Sequence, residues 1–458
     1  MKIIICGAGE VGYSLAKYLA AEEMEVTIID NNNEKLEKIS NSIDVRTVTG
    51  KTYSPNILEE ARASKAEMLI SVMDNDENNI LTCEIAKILF NVPNTIARIK
   101  EKELLDEKWL KLFSSEGFRI DNIISPEDEV AKMLARLVAV SGAHDLISFA
   151  DDKVRLIGLK LDKNCPILET PLSQLTELFP NLNTKVVLMT RDEKVFIPDK
   201  MQELLAGDDI YMIADSKNTK RILAAFGKKI IESRKIIIIG AGMIAINIAK
   251  ILEQNEPDAT ITIIENKKEQ AEKAAINLEK ANILLGDAVE PEIIKEANIS
   301  EADIVFSVTN SDEINTLVSI LAKKAGAKNC YALLTEDKYL PVIPYLDIDG
   351  IISPRELTVS RVLKHIRKGS VTNVYELKDG AAEIIEFKVQ ASSKLVGVKL
   401  RDTDLPSSAL IGAIVRKNEF LSPDGDTTIQ ENDKVVMCLL HDSIQKVEEL
   451  LSEDTDLI

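Results

Sequence analysis

The residues of this sequence best suited to chemistry form two glycine-rich turns, each directly after an apolar run. Residues 7–12 follow KIIIC and read GAGEVG, and residues 240–245 follow KIIII and read GAGMIA. In a strand–turn–helix unit, the first glycine permits the tight turn, the second lets backbone approach a pyrophosphate, and the third position packs helix on strand. The helix N-terminus also presents unpaired N–H groups to phosphate. Both turns therefore predict a dinucleotide site.

An acidic residue follows each turn at the end of the next apolar run. Asp30 ends EVTIID, and Glu265 ends TITIIE. A carboxylate at this place accepts hydrogen bonds from the ribose hydroxyls and repels a 2′-phosphate, so the first site favours NAD(H) over NADP(H). Lys267 and Lys268 come shortly after Glu265 and leave the ligand of the second site open. The alternative, that both turns only close βα corners, is weakened by their matching positions.

A second repeated motif follows the fourth predicted strand, since Asp-Glu-x-Asn occurs at 76–79 and again at 312–315. One interpretation is helix capping, in which the aspartate accepts hydrogen bonds from unpaired N–H groups and the acidic residues complement the helix dipole. The other places the loop beside the cofactor at the carboxyl edge of the sheet, where α/β proteins bind ligands. Both can hold together. In the second interpretation the lining residues are Met73, Asp74, Thr309 and Asn310.

The repeat extends over the whole chain. AEMLISVMDNDENN from Ala66 aligns with ADIVFSVTNSDEIN from Ala302, and IPDKMQELLAGDDIYMIAD from Ile197 resembles SPDGDTTIQENDKVVMCLL from Ser422. In each large unit short apolar runs alternate with helical patterns, which is typical of βαβ units and a parallel sheet. We therefore predict an α/β protein with two Rossmann-like domains, each followed by a small α+β module. The boundaries are expected at 141–145, 227–233 and 368–372.

Composition and absent motifs exclude several functional classes. The net charge is −19 over 458 residues with no basic stripe, which argues against nucleic-acid binding and against attraction to an anionic membrane surface. Five scattered cysteines without a CxxC pair predict a reducing cytoplasm and neither disulfides nor zinc. There is no Walker A sequence, and we predict no catalytic residue and no metal site. Each of the three histidines is expected to be solvated or at a domain junction: His144, His365 and His441.

The combination of these motifs resembles one family. Tandem GAGEVG…D units, the segment SVTNSDEIN and the module LIGAIVRKNEFLSPDGDTTIQENDKV resemble the RCK (KTN) regulatory domains of potassium transport. The resemblance covers essentially the whole chain and implies two pairs of an RCK-N Rossmann domain and an RCK-C module. The implied division is RCK-N at 1–125 with a crossover helix at 126–142, RCK-C at 143–228, a second RCK-N at 232–352 with a crossover helix at 353–370, and a second RCK-C at 371–456.

The resemblance also implies ligands and partners. It implies binding of NAD(H), and in some members of ATP or ADP, by a homotetrameric ring. The ring would lie on the cytoplasmic, inner face of the cell membrane against an integral membrane potassium-translocating subunit and would gate it. The implied first-site residues are Gly7, Ala8, Gly9, Glu10, Val11, Gly12, Asp30, Met73, Asp74 and Arg98. The implied second-site residues are Gly240, Ala241, Gly242, Met243, Ile244, Glu265, Asp287, Thr309 and Asn310.

The sequence departs from the family pattern at two places. The family usually has Gly-Asp near the adenine after the third strand, but the first copy reads Gly50-Lys51, while the second keeps Gly286-Asp287. The position of Arg98 in the first copy is occupied by leucine in the second, which predicts weaker phosphate binding there.

Two rival functions stay open from the sequence. One is an NAD-dependent oxidoreductase acting on a small substrate, and the other is a cytoplasmic scaffold whose nucleotide folds are only structural. Against the first, the chain starts a second Rossmann unit where such an enzyme usually adds a catalytic domain. The duplication favours a nucleotide that is sensed and not consumed.

Overall fold

The structure is a computed structural model that describes residues 1–451 except 106, 114–116, 139, 141, 180, 229–233, 340–345 and 368–369. Parts of the predicted boundaries at 141–145, 227–233 and 368–372, and the predicted segment 452–456, lie outside the described residues. By internal contacts the chain divides into two compact units, Met1–Glu127 with Pro354–His365 and Asp128–Ser353 with Ile366–Ile458. The predicted domain limits remain predictions.

The first Rossmann domain is a six-stranded parallel sheet flanked by helices. Its strands are β1 (Lys2–Cys6), β2 (Glu25–Asp30), β3 (Arg46–Thr49), β4 (Met68–Ser71), β5 (Asn94–Arg98) and β6 (Asn122–Ile124). Its helices are α1 (Glu10–Ala21), α2 (Asn33–Ser42), α3 (Pro55–Glu60) and α4 (Asp76–Phe90), and α5 (Pro126–Val138) follows. The strand order β3-β2-β1-β4-β5-β6 reverses direction between β1 and β4. The loops after these two strands therefore meet at the crevice where such sheets bind ligands.

The second Rossmann-like domain lies in the chain after a five-stranded module, but its elements repeat those of the first. The strands of the intervening module are β7 (Asp145–Phe149), β8 (Val154–Lys160), β9 (Thr184–Arg191), β10 (Lys194–Phe196) and β11 (Asp209–Asp215), with helices α6 (Leu172–Leu178) and α7 (Thr219–Ala225). The second Rossmann strands are β12 (Lys235–Ile239), β13 (Thr260–Glu265), β14 (Asn282–Leu285), β15 (Ile304–Ser307), β16 (Asn329–Leu333) and β17 (Gly350–Ile352). Its helices are α8 (Met243–Asn255), α9 (Lys268–Asn277), α10 (Pro291–Glu296) and α11 (Asp312–Ala325), followed by α12 (Pro354–Ile366). The order β14-β13-β12-β15-β16-β17 is that of the first sheet.

The last module repeats the first small module. Its strands are β18 (Val371–Leu377), β19 (Ala382–Lys388), β20 (Ala409–Arg416), β21 (Glu419–Leu421) and β22 (Lys434–Leu440), and helix α13 (Ile444–Leu451) follows. The sheet orders β10-β9-β11-β8-β7 and β21-β20-β22-β19-β18 correspond strand for strand. All pairs within these two sheets are antiparallel. The fold therefore confirms the predicted α/β class with two Rossmann-like domains and two small modules.

One buried contact shows how closely the small modules repeat. Arg191 on β9 donates from Nε and Nη2 to both oxygens of Asp208 at 2.7 and 2.6 Å. In the last module Arg416 on β20 donates in the same bidentate way to Asp433 at 2.9 and 2.8 Å. Both aspartates are almost fully buried. In each module this bidentate ion pair fixes the loop before the last strand to the strand that carries the arginine.

The cores are aliphatic, as the low aromatic content predicts. On one face of the first sheet, side chains from β1, β2, β3 and β4 pack on α4, and the equivalent face of the second sheet packs on α11. The segment from Ile236 to Leu252, whose apolar run is the longest in the sequence, forms most of the buried strand β12 and most of the amphipathic helix α8. Within the described residues, no helix combines the length and the apolar character needed to cross a membrane.

Candidate nucleotide-binding sites

The first glycine turn lies between β1 and α1 and leaves its backbone open. Gly7 has φ of +111°, and a Cβ on Gly12 would lie 1.8 Å from the Gly7 carbonyl oxygen, so neither position tolerates a side chain. A Cβ on Gly9 would meet no heavy atom within 4 Å. Gly9 is also the N-cap of α1, without a side-chain cap. The free face of Gly9 and the N-terminus of α1 together form an anion-binding surface.

The acid after β2 has two contacts that the sequence alone does not indicate. Asp30 Oδ2 accepts the N–H of Ala8 at 2.7 Å, and its Oδ1 accepts the N–H of Asn32 at 2.8 Å. In the second copy, Glu265 Oε2 accepts the N–H of Ala241 at 2.7 Å. Each acid therefore fixes its glycine turn. Because a carboxylate has about four lone-pair sites, each oxygen keeps one for a ribose hydroxyl.

A buried asparagine holds the loop after the fourth strand in each copy. Asn79 accepts the N–H of Met73 at 2.9 Å and donates to the carbonyl oxygens of Met73 and Arg98 at 3.0 and 2.8 Å. Asn315 accepts the N–H of Thr309 at 2.8 Å and donates to the carbonyl oxygens of Thr309 and Leu333 at 3.0 and 2.9 Å. Each asparagine thus fixes the predicted lining residue beside the glycine turn.

The capping interpretation of the repeated Asp-Glu-x-Asn motif was wrong by one residue. The N-caps are Asn75, which accepts the N–H of Asn78, and Ser311, which accepts the N–H of Ile314. The buried Asp76 instead accepts two backbone N–H groups of the loop after β5, each at 2.8 Å. Its counterpart in the second copy does the same for the loop after β16. The preceding residue takes the cap because its backbone is extended, which lets its side chain reach back to the helix.

The other predicted first-site residues have partners of their own. Arg98 Nη2 lies 3.0 Å from Oε1 of Glu127, and both side chains are largely buried. Asp74 is 97 % exposed and lies 3.2 Å from Lys100 Nζ. The sulfur of Met73 accepts a hydrogen bond from a buried threonine, Thr52 Oγ1, at 3.2 Å. Glu10 and Val11 begin α1.

Seven of the nine predicted residues of the second site line one cavity of about 350 Å³. A Cβ on Gly242 meets no heavy atom within 4 Å, as at the first turn. Asp287 Oδ1 accepts the N–H of Val289 at 3.1 Å and keeps its other oxygen for a ligand. The predicted residues in the cavity wall are Gly240, Ala241, Gly242, Glu265, Asp287, Thr309 and Asn310, while Met243 and Ile244 begin α8. The wall also contains polar residues that we had not predicted: Asn266, Lys267, Gln270 and Ser311.

The thiol closest to the first turn is not a nucleophile. Cys6 ends β1 directly before Gly7, and burial, with a smaller effect of Asp30, raises the pKa of its thiol far above the usual range. The protonated thiol therefore belongs to the core and not to the site chemistry. All five cysteines are free and buried.

We call each glycine turn, with its acid and its asparagine-held loop, a cradle. The first cradle comprises residues 7–12, Asp30 and residues 72–75, and the second comprises residues 240–245, Glu265 and residues 308–311. Two such cradles on a repeated Rossmann-and-module plan define a class of tandem proteins built on the dinucleotide-binding fold.

Comparison with known proteins identifies the family within this class. The model of the TrkA-N domain matches residues 3–126 and 236–354, and the model of the TrkA-C domain matches residues 384–452. The Trk system potassium uptake protein TrkA of Azorhizobium caulinodans is 38 % identical over 450 residues, which cover 98 % of each chain. That of Vibrio alginolyticus is 37 % identical and covers 96 % of each chain. The chain belongs to the TrkA family of Trk system potassium uptake proteins.

Solved structures agree with this fold. The RCK domain of GsuK has a TM-score of 0.62 at 15 % identity, covering 98 % of this chain and 94 % of that one. A structure of the GsuK channel bound to NAD has a TM-score of 0.60 at 14 % identity, covering 98 % and 78 %. At these identities the likeness shows the fold.

Proposed function

We propose that this chain is a nucleotide-sensing regulatory subunit of a potassium-uptake system. Its cradles bind NAD(H) or adenine nucleotides, and a homotetrameric ring of the chain gates an integral membrane potassium-translocating subunit from the cytoplasmic face of the membrane. The observation that carries the proposal is the open backbone at Gly9 and Gly242, each beside a helix N-terminus and an acid. This combination accepts a pyrophosphate and an unphosphorylated ribose.

The comparisons support the regulatory part of this proposal. Relatives that match nearly the full chain carry the name Trk system potassium uptake protein TrkA. The structural neighbour GsuK, a channel, has been solved bound to NAD and, at a TM-score of 0.50, bound to ADP. A nucleotide cradle on a subunit of a transport system is suited to report the nucleotide state of the cell.

The physical basis of the proposed gating is a population shift. A nucleotide moves the ring between two shapes only by the difference between its affinities for them. A shift from 1:99 to 99:1 requires about 5.5 kcal/mol of differential binding. With two cradles per chain and four chains per ring, small differences at each cradle add up to that amount.

The first test replaces the open glycines. Gly9→Val and Gly242→Val each place a side chain where the pyrophosphate would lie, and neither is expected to disturb the fold, because the space is empty and Gly9 has an ordinary φ of −79°. Calorimetry with NAD, NADH, ATP and ADP should show the loss of one site in each variant and of both in the double variant. Unchanged binding in both variants would contradict the assignment of the cradles.

The second test addresses the transport role. The chain should co-purify with a membrane potassium transporter, and potassium uptake by cells that depend on the chain should lose its nucleotide response in the Gly9→Val, Gly242→Val double variant. The oxidoreductase alternative predicts instead that NADH is consumed when candidate small substrates are added, which absorbance measurements detect. Sustained NADH turnover would replace the regulatory proposal with the enzymatic one.

A further inference from the structure

A cluster of charged and aromatic side chains joins the two small modules. We call it the interface cluster, and it comprises His144, Asp145, Asp209, Tyr211 and Lys378. The His144 Nε2 lies 2.7 Å from Asp209 Oδ1, and its Nδ1 lies 3.5 Å from Asp145 Oδ2. Tyr211 donates its hydroxyl to Asp145 Oδ2 at 2.7 Å. Lys378, in the turn between β18 and β19 of the last module, forms an ion pair with the other oxygen of Asp209.

The cluster is charged and mostly buried. Both ring nitrogens of His144 face carboxylates, which a neutral imidazole with a single N–H donor does not satisfy. Burial alone would lower the pKa of His144, but Asp209 and Asp145 outweigh it and raise the pKa to about 9. Burial alone would likewise raise the pKa of Asp209, but His144 and Lys378 hold it below the usual range. A cationic His144 therefore lies between two carboxylates.

The backbone beside His144 is fixed to the second Rossmann domain. Tyr331 on β16 donates its hydroxyl to the carbonyl oxygen of Ala143 at 2.9 Å. Gly350 on β17 leaves no room for a side chain, since a Cβ there would lie 2.7 Å from the Tyr331 ring and 3.3 Å from the His144 Cβ. Tyr331 is fully buried. The histidine thus lies where the first small module, the last module and the edge of the second Rossmann sheet come together.

Strand β16, which carries Tyr331, also contacts the residue that fixes the second cradle. Asn315 binds the backbone of Thr309 in the cradle loop and the carbonyl oxygen of Leu333, the last residue of β16. Tyr331 lies two residues earlier on β16 and contacts Ala143. A displacement of β16 therefore acts on the cradle loop through Asn315 and on the interface cluster through Tyr331. The equivalent position of the first domain is Ile96, a fully buried residue without a hydroxyl group.

We propose that the interface cluster couples nucleotide binding in the second cradle to the packing of the two small modules, with Lys378 and His144 as positioning residues. This inference rests on the proposed nucleotide site. Coupling free energies are reciprocal, so a nucleotide that stabilises the clustered arrangement binds less tightly when the cluster is broken. Strand β16 is the element that the second cradle and the interface cluster share, and its position depends on contacts at both sites.

The test breaks the cluster from the side of the last module, in full-length Gly9→Val protein so that only the second cradle binds. Lys378→Met removes the charge from a partly exposed turn and keeps the side-chain length, so the protein is expected to fold. Calorimetry with ATP, ADP and NADH should show affinity weakened by about fivefold or more, because typical couplings span about 5–150-fold. His144→Gln should weaken affinity in the same direction.

A matched control is available at the same pair of modules. Lys434 on β22 forms an ion pair with Asp151 of the first small module, but this pair is more exposed than that of Lys378 and lies outside the interface cluster. Lys434→Met should leave nucleotide affinity within about twofold of the parent. Amide hydrogen exchange gives an independent measurement, since nucleotide should slow exchange at residues 143–145 in the parent and not in Lys378→Met.

The outcomes separate the two proposals. If the Gly9→Val parent binds none of the three nucleotides, the proposed second site fails and the coupling fails with it. If the parent binds but Lys378→Met binds equally or more tightly, the coupling alone is overturned. Equal weakening by Lys378→Met and Lys434→Met would also overturn it, because the effect would then belong to module packing in general.

Discussion

The two cradles agree in the contacts that shape the backbone and differ in several side chains in and around the turns. Each has a glycine with positive φ after the first strand, an acid that binds the N–H of the alanine next in the turn, and a buried asparagine that holds the opposite loop. The differing pairs are Gly12 and Ala245, Asn32 and Lys267, Lys51 and Asp287, and Met73 and Thr309.

We infer from this difference that one scaffold serves two ligand preferences. Ala245 occupies the position of Gly12 and is fully buried, so the second turn accommodates a methyl group there. Lys267 and Asp287 place both signs of charge in the second cavity. We propose that the second cradle uses Lys267 as an extra cation for phosphate and Asp287 as an acceptor for a base amino group, and that the first cradle binds a dinucleotide with two neutral riboses.

The largest expected effect on stability comes from exchanging the residues at the third glycine position of the turns, Gly12 and Ala245. Gly12→Ala places a Cβ 1.8 Å from the Gly7 carbonyl oxygen, which forces α1 away from β1 and should destabilise the first domain by about 3 kcal/mol. Ala245→Gly should cost only about 1 kcal/mol, from lost helix propensity and a lost buried methyl. Trp109, the only tryptophan, lies in the first domain, so its fluorescence in a urea titration reports that domain.

The circular dichroism signal of the same titration serves as the control for the remaining domains. Gly12→Ala should shift the fluorescence transition to lower urea concentration and leave the later part of the ellipticity transition in place. If Gly12→Ala leaves the fluorescence transition in place, the first turn is not packed as described.

The second prediction separates binding from stability. Gly9→Val and Gly242→Val should each reduce nucleotide affinity at their own cradle by about a hundredfold or more, since a side chain occupies the phosphate position. The free energy of unfolding should fall by only about 1 kcal/mol, because a Cβ meets no neighbour at either position and the remaining cost is that valine is a poorer N-cap than glycine. Gly7→Ala is the contrasting variant, since its φ of +111° makes any side chain strained and should reduce both properties.

The third prediction uses pH to test the charge of the interface cluster, whose neighbouring backbone contacts the second Rossmann domain through Tyr331. The pKa of His144 is raised from 6.5 to about 9, so its stabilising charge is fully present below pH 6.5 and is lost as pH rises to about 9. The contribution is at most about 3 kcal/mol. The difference in the free energy of unfolding between wild type and His144→Gln should therefore shrink as pH rises from 6.5 to 9.

The measurement must compare the free energies of unfolding of wild type and His144→Gln, because the titration of Lys185 changes stability with pH in the opposite direction. The side chain of Lys185 is buried and donates to the carbonyl oxygens of Ile411 and Pro423 in the last module. Burial lowers the pKa of Lys185 to about 8. Its neutral form is favoured in the fold, so it adds stability as pH rises from about 8 to 10.5. Subtracting the free energy of unfolding of His144→Gln from that of wild type cancels the contribution of Lys185. A difference that stays constant over the whole range would contradict a charged His144.

The sequence was sufficient for the architecture because the signals were local and repeated. Apolar runs such as IIIC and MLISV became β1 and β4, and the turn glycines and acids lie where their spacing predicts. Predicted second-site residues from four loops line one cavity, because the carboxyl ends of β12, β13, β14 and β15 meet at one edge.

Contacts between distant segments were not predictable from the sequence. His144 was expected to be a solvated or junction residue; it lies at a junction, but it is mostly buried between two carboxylates. Its partners are Asp145 beside it, Asp209, and Lys378 bound to Asp209, and no local pattern connects residues so far apart in the chain. The acids Asp30 and Glu265 were assigned to ribose alone, because nothing in the spacing shows that they also bind the glycine turn.

The smallest expected effect exchanges one residue at the rim of the cavity. Lys267 lines the second cavity at the start of α9 and makes no side-chain cap, whereas its counterpart Asn32 caps α2 by accepting the N–H of Lys35. Lys267→Asn should therefore stabilise the second domain by about 1 kcal/mol through the new cap. It should also weaken ATP binding there about fivefold, because one exposed charge contributes up to about 1 kcal/mol.

The opposite signs of these two effects make the test specific. The weakening should fade in high salt, where exposed charges are screened, while the gain in stability persists. Lys268→Asn is the matched control, since Lys268 is exposed, begins α9 and does not line the cavity. If ATP affinity falls equally in both variants, Lys267 acts only through the general charge of the domain. The distinction between the two cradles would then not depend on Lys267.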